Sequence, residues 1–142
     1  MSTNNLLSYP TLSYKINTIP EGALIAVDTE TTGLNPYKGD KAFLFSFANE
    51  DGDISVVERL PETEDMLREF FADKSITKIF HNSKFDMKMS REAGFPVRGK
   101  VHDTLTMSRL VNENEMMHNL KYLCKKYFDY KAIEDDQVDA FK

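Results

Sequence analysis

With 142 residues, 41% of them hydrophobic and 29% charged, the chain is long enough to bury one sizeable core and has the balance of a soluble globular domain. The net charge of −5 excludes a broad basic face for electrostatic binding of nucleic acid, but not a narrow site that meets phosphates through metal ions. No apolar run is long enough to span a bilayer, the opening Met1-Ser-Thr-Asn-Asn lacks the regions of a secretory signal, and the single Cys124 cannot form an intramolecular disulfide, so a reducing, cytoplasmic setting is expected.

Residues 1–20 are polar with scattered Leu, Tyr and Pro and read as a leader to a domain spanning 21–142. The short aliphatic run Ala23 to Asp28 predicts a buried strand. Gly33-Leu-Asn-Pro-Tyr-Lys-Gly39-Asp is a loop of turn residues. Lys41 to Ala48 predicts a second strand with Phe43, Phe45 and Phe47 on one face. Asn49 to Asp53, which contains Asp-Gly, predicts a hairpin turn into a third strand over Ile54 to Glu58. The period then changes. Pro61 precedes a predicted helix that runs to about Ala72, with Met66, Leu67, Phe70 and Phe71 on one face. Ile76 to Phe80 predicts a fourth strand, and Ser83 to Ala93 a helix closed by Gly94. Phe95 to Val101 reads as extended, Asp103 to Val111 as helical, and Met117 to Phe128 as a further helix with Cys124 as a core thiol. The acidic stretch beyond Tyr130 is weakly helical. The order β-β-β-α-β-α predicts an α/β fold: a mixed sheet, with three antiparallel strands first, flanked by helices.

Chemistry concentrates in two places. Asp28-Thr-Glu30-Thr-Thr-Gly-Leu34 follows the first strand directly. Side chains alternate along a strand, so Asp28 and Glu30 project the same way. At about 4 Å and an effective dielectric of about 20 two carboxylates repel by roughly 4 kcal/mol. A proton, a basic partner or a metal relieves that, and no Lys or Arg follows until Lys38. Hard cations such as Mg²⁺ favour carboxylate oxygens and keep waters for substrate phosphates, so the segment reads as half of a metal site. The second place is His81-Asn-Ser-Lys-Phe-Asp86, at a strand-to-helix junction. There Asp86 gains from the helix macrodipole, and Asn82 or Ser83 can serve as an N-cap. Residues 74–109 carry eight Lys or Arg, so the middle of the chain is the better candidate for touching a polyanion.

Asp28-Thr-Glu30 followed by Asn82-x-x-Phe85-Asp86 resembles the first and second motifs of the DnaQ-like, or DEDD, 3′–5′ exonucleases, most of all the proofreading domain of bacterial or phage family A DNA polymerases. Val101-His-Asp-Thr-Leu-Thr-Met-Ser-Arg-Leu110 and His118 to Tyr127 are similar to segments that follow the second motif. The resemblance implies a ribonuclease H-like fold and hydrolysis at DNA 3′ ends, single-stranded or frayed, in the cytoplasm of a bacterium or phage-infected host. It implies two divalent ions, Mg²⁺ or Mn²⁺. Asp28 would bridge both, Glu30 would bind one, and Asp86 would serve the other. Thr31 and Leu34 would meet the terminal nucleotide, and Asn82 and Phe85 the penultimate one. Against these roles stand plainer ones: Leu34 as a loop residue folded onto the core, Asn82 as a helix cap, and Asp103 as a cap on the helix it begins. His81 is not taken as the catalytic histidine of the DEDDh subclass, because Asn82 and Phe85 mark this segment as the second motif.

The third motif of that family, a carboxylate preceded four or five residues earlier by Tyr or His, is not found. Tyr130 with Glu134 lies too soon after the preceding helix, His118 is followed by Leu123, and Asp135, Asp136 and Asp139 lack the partner. The chain therefore reads as a piece of an exonuclease domain, weakly active or inactive alone, with a polymerase region or complementary fragment as its expected partner downstream and no membrane. RNase D-like trimming of RNA, and a catalytically silent module that holds a strand end, are the other readings.

Overall fold

The computed structural model describes residues 19–129. Of the leader expected over residues 1–20 all but Ile19 and Pro20, and the acidic stretch beyond Tyr130, lie outside these residues. Among them run five strands, β1 Leu24–Thr31, β2 Ala42–Ala48, β3 Ile54–Glu58, β4 Thr77–Phe80 and β5 Val101–Asp103, and four α-helices, α1 Glu64–Ala72, α2 Ser83–Glu92, α3 Thr104–Val111 and α4 Leu120–Phe128. The strands form one sheet in the order β3-β2-β1-β4-β5. β1 pairs antiparallel with β2 and β2 with β3, while β4 joins β1, and β5 joins β4, in parallel. The mixed sheet expected from the element order is the one observed.

Several elements differ from their predicted bounds; Val101–Asp103, expected as the end of an extended run and the start of a helix, is strand β5, because it pairs in parallel with β4. β1 continues through Asp28 and Glu30 to Thr31, because β2 offers partners along the whole motif, with Asp28 opposite Ser46 and Glu30 opposite Leu44. The register slips after Glu30, so that Thr31 pairs with Ala42 and Phe43 is the extra residue of a bulge. The bulge reverses the alternation: Ala42 turns into the core and Phe43 is 44% exposed, leaving only Phe45 and Phe47 of the three phenylalanines inside. Pro61–Thr63 is a turn ahead of α1, held by the Thr63 hydroxyl, which accepts from Leu60 N and donates to Glu58 O. Of the residues Met117–Phe128, helix begins only at Leu120, where Asn119 caps Tyr122 N, and Leu120 itself is exposed.

The described residues divide into two compact units, the first ending at Asp103 and the second beginning at Thr104. In the first, one face of the sheet supplies Ile25, Val27, Phe45, Phe47, Val57 and Phe80 to a core closed by Leu67, Phe70 and Phe71 of α1, Met89 of α2, and Phe95. Phe45, Phe71 and Phe95 pack ring against ring, with centroids 5.6 to 6.4 Å apart. The buried Lys78 passes its ammonium to the carbonyls of Asp73 and Arg98, at the C-terminal end of α1 and the approach to β5. Its burial lowers the Lys78 pKa. In the second unit Leu123 is buried, the Ser108 hydroxyl lies 2.9 Å from His118 Nδ1, and Glu115 accepts from the Tyr122 hydroxyl at 2.6 Å.

Candidate active site

β1 divides the motif between two environments. Ile25, Val27 and Thr29 face the core, and Asp28 and Glu30 are exposed on the opposite face. Neither Asp28 nor Glu30 has a cationic partner among the described residues. Two carboxylates on one face of a central strand with no counter-ion are a donor set that fits a hard divalent cation.

Asp86 approaches the same strand from the other side. It lies in the first turn of α2, is 3% exposed, and accepts a 2.6 Å hydrogen bond from the Thr29 hydroxyl, the residue between Asp28 and Glu30. Burial pushes the Asp86 carboxyl up to about 6, the Thr29 hydrogen bond restrains it, and the charge of Asp28 adds to the rise. The two segments predicted to cooperate are thus joined by a direct bond. Burial, rather than crowding of like charges, is the larger cause of the raised pKa. Among the described residues no three His, Cys, Asp or Glu side chains form a group that could hold a metal ion. The convergence expected of Asp28, Glu30 and Asp86 takes a looser form: an exposed pair, and a third carboxylate satisfied by a hydroxyl. Three clustered carboxylates repel one another, and the Thr29 hydroxyl gives Asp86 a partner that carries no charge.

The start of α2 is built from a distance. Asn82 has φ 73° and ψ 58°, in the left-handed region, and its side chain makes no capping bond. The capping is done by Asp103 at the end of β5. Its carboxylate accepts from Asn82 N at 3.0 Å, from Ser83 N at 2.9 Å and from the Ser83 hydroxyl at 2.8 Å. Asp103 therefore caps α2, a role that its place before the next helix does not announce. No local signal in the sequence discloses this, since about twenty residues separate the partners. The consequence is that Asn82 is not needed as a cap and its exposed side chain is left for other contacts.

The loop after β1 is tied down by its own bonds. The Thr31 hydroxyl donates to Gly33 O at 2.8 Å, Lys41 N donates to the Thr32 hydroxyl at 2.9 Å, and Asn35 N donates to Asp40 Oδ2 at 2.8 Å. A Cβ on Gly33 would stand 2.4 to 2.5 Å from the Asp40 carboxylate, so a larger residue there would push that side chain off Asn35 N. Leu34 sits on the rim and is 77% exposed, which removes the reading in which it folds onto the core. Phe85 is partly buried against the core cluster.

Such a mixed sheet, with paired carboxylates on its central strand and a third on the helix after β4, defines a ribonuclease H-like nuclease domain of the DnaQ-like kind. The chain belongs to the 3′–5′ exonuclease family, whose model matches residues 7–140. It is similar to DNA polymerase DpoZ of Vibrio phage phiVC8, with 35% identity over 131 residues, 80% of this chain and 20% of that one. Among solved structures it is similar to Brucella melitensis NrnC bound to pGG, with 30% identity, a TM-score of 0.68, and coverage of 78% of this chain and 55% of that one. The same Brucella protein with bound Mg²⁺ gives 27% identity and a TM-score of 0.66, covering 82% and 63%. The chain thus spans about a fifth of the polymerase and somewhat over half of the nuclease. None of the described helices is long and apolar enough to cross a membrane.

Proposed function

We propose that this exonuclease domain acts on DNA 3′ ends in the cytoplasm, in the service of a polymerase, with Asp28, Glu30 and Asp86 as ligands of divalent metal. The observation that carries the reading is the Thr29–Asp86 bond, which couples the strand motif to the helix motif. Hydrolysis breaks the bond between phosphorus and the 3′ oxygen. A water oxygen joins the phosphorus, and the shortened strand keeps a 3′ hydroxyl. The chemistry that a bound pair of Mg²⁺ or Mn²⁺ supplies is activation of that water and stabilisation of the leaving oxygen. The residues of the chain do the rest. Asp28 and Glu30 present ligand oxygens at the surface of the sheet. Thr29 fixes the rotamer of Asp86 and favours its ionised form. Thr31 and Leu34 meet the terminal nucleotide, Leu34 as an apolar edge beside the base. Asn82 and Phe85 meet the penultimate one, a stacking contact tolerant of sequence. A fourth carboxylate is absent from the assigned set. Asp103 is occupied in capping α2, and Asp135, Asp136 and Asp139 lie outside the described residues.

The test is degradation of a 3′-labelled single strand by the chain in Mg²⁺ or Mn²⁺, beside EDTA and Asp28→Ala controls, with DNA and RNA arms. Loss of label that needs metal and Asp28, and is faster on DNA, supports the proposal. Equal or faster loss on RNA supports RNA trimming, since discrimination turns on the 2′-OH. Binding of strand ends with no hydrolysis at any metal concentration supports the silent module.

A further inference from the structure

The loop that follows the catalytic strand displays a second large side chain besides Leu34, and its surroundings are specific. Tyr37, on the 3₁₀ turn Pro36–Lys38, is 66% exposed. It is nevertheless fixed: Arg91 Nη2 donates to its hydroxyl at 3.1 Å, and Lys88 Nζ lies 5.4 Å from the ring centroid. The turn itself is capped by Asn35, whose side chain accepts from Tyr37 N, and is closed by Gly39 in the left-handed region. An exposed ring commonly wanders, whereas this one is held by a closed loop and two cations. Both cations belong to α2, the helix that carries Asp86.

Along α2, Lys84, Lys88 and Arg91 follow at spacings of four and three and share one face, while Asp86 and Met89 are buried. Glu92 lies 3.4 Å from Arg91 and offsets its charge, so Lys84 and Lys88 carry the surplus. On a chain of net charge −5, a fixed aromatic ring beside surplus positive charges, on the helix that also carries the candidate ligand Asp86, has the composition of a single-strand track: a π-face for a base and ammonium groups for phosphates.

We propose that Tyr37, Lys84 and Lys88 form a second binding surface for single-stranded nucleic acid, engaging the strand beyond the two nucleotides at its 3′ end. The inference rests on the exonuclease reading and extends its substrate from a dinucleotide end to a longer strand. One base stacks on Tyr37, and the adjoining phosphates meet Lys84 and Lys88. Arg91 is a positioning residue that holds the ring.

The test is fluorescence anisotropy with labelled oligothymidylate of about a dozen nucleotides, within the range that single-strand grooves engage, beside a labelled thymidine dinucleotide, both in Ca²⁺. The readout is the ratio of the two affinities. Tyr37→Ala is expected to lower that ratio roughly 5- to 150-fold, the span of one stacked base. Tyr37→Phe, which loses the Arg91 bond but keeps the ring, should retain most of it. Lys84→Ala with Lys88→Ala should reduce the salt dependence of long-strand binding by about 0.7 for each phosphate that is no longer neutralised. Far-UV circular dichroism checks that each variant is folded. If Tyr37→Ala and the lysine variants leave the ratio unchanged while Phe85→Ala weakens both ligands, this second surface is overturned and the exonuclease reading stands. A fall with Tyr37→Phe as large as with Tyr37→Ala would make Tyr37 a structural clamp and also overturn it. If the unaltered chain binds neither ligand, both readings fall.

Discussion

Asp86 carries the sharpest consequence of the site's electrostatics. Its folded pKa of about 6 lies above the ordinary value of 3.8, so the folded state binds the proton more tightly than the unfolded one. The stabilising proton is fully bound below the unfolded value and is lost as pH rises through the folded one. Without metal, the stability attributable to this residue should therefore fall between about pH 4 and pH 7, by up to about 3 kcal/mol. Asp86→Asn should be more stable than the parent near pH 8 in EDTA, and should show no such gain near pH 4. Urea denaturation at the two pH values measures this, and an equal effect at both would mean that the carboxylate is not desolvated. Thr29→Val removes the donor that restrains the shift, so an NMR titration of Asp86 in that variant should give a still higher pKa. Its metal affinity at neutral pH should fall accordingly. Thr29 was hidden in the sequence because it stands between two carboxylates as the apparent spacer. Only the alternation of the strand, followed through to the helix on its inner face, gives it a role.

At the scale of elements, α2 shows which features a sequence discloses and which it withholds. Its position, its buried Met89 and its Gly94 terminator follow from local spacing, and so does the hairpin at Asn49–Asp53, where Gly52 has φ 84°. The bulge at Phe43 and the capping by Asp103 do not, since each depends on a partner strand. Asp103→Ala leaves Asn82 N and Ser83 N without their acceptor, and should cost about 1–2 kcal/mol in thermal or chemical denaturation. Asp103→Asn should recover part of that cost and part of any oligonucleotide affinity that falls with it. Asn82→Gly separates shape from chemistry. Glycine takes the left-handed conformation without penalty, so the fold should gain up to about 1 kcal/mol, while binding at the 3′ end should weaken. A variant that is more stable and binds equally well would show that Asn82 does not touch the substrate.

For the molecule as a whole, the sequence disclosed the first four strands, the core phenylalanines Phe45, Phe47, Phe70 and Phe71, and the two motifs, because each is a local pattern of period or spacing, but not the short edge strand β5. It did not disclose how the carboxylates would be shared out across the sheet, since charges that lack a counter-ion leave no periodic trace. That sharing predicts a global response to metal. Mg²⁺ should raise the melting temperature near pH 7 in proportion to the logarithm of its concentration above the dissociation constant. Asp28→Ala should abolish that rise at little cost in metal-free stability, since it removes an exposed charge that raises the pKa of Asp86. Differential scanning fluorimetry across a Mg²⁺ series distinguishes this from a structural Asp28, whose loss would lower the melting temperature even in EDTA.

The cap that Asp103 places on α2 also sets a folding order. A helix that lacks its own N-terminal acceptor is a poor nucleus, and α2 receives one only when β5 pairs with β4 in parallel, the slower kind of strand pairing. Asp86 can thus settle into its bond with Thr29 only after the chain has been made as far as Asp103 and that edge strand has docked. During synthesis the reactive centre would mature late, behind the β1–β2–β3 meander that assembles around it. Pulsed hydrogen exchange gives this a direct clock: the Asn82 and Ser83 amides should acquire protection together with the β4–β5 ladder, and later than the amides of β2.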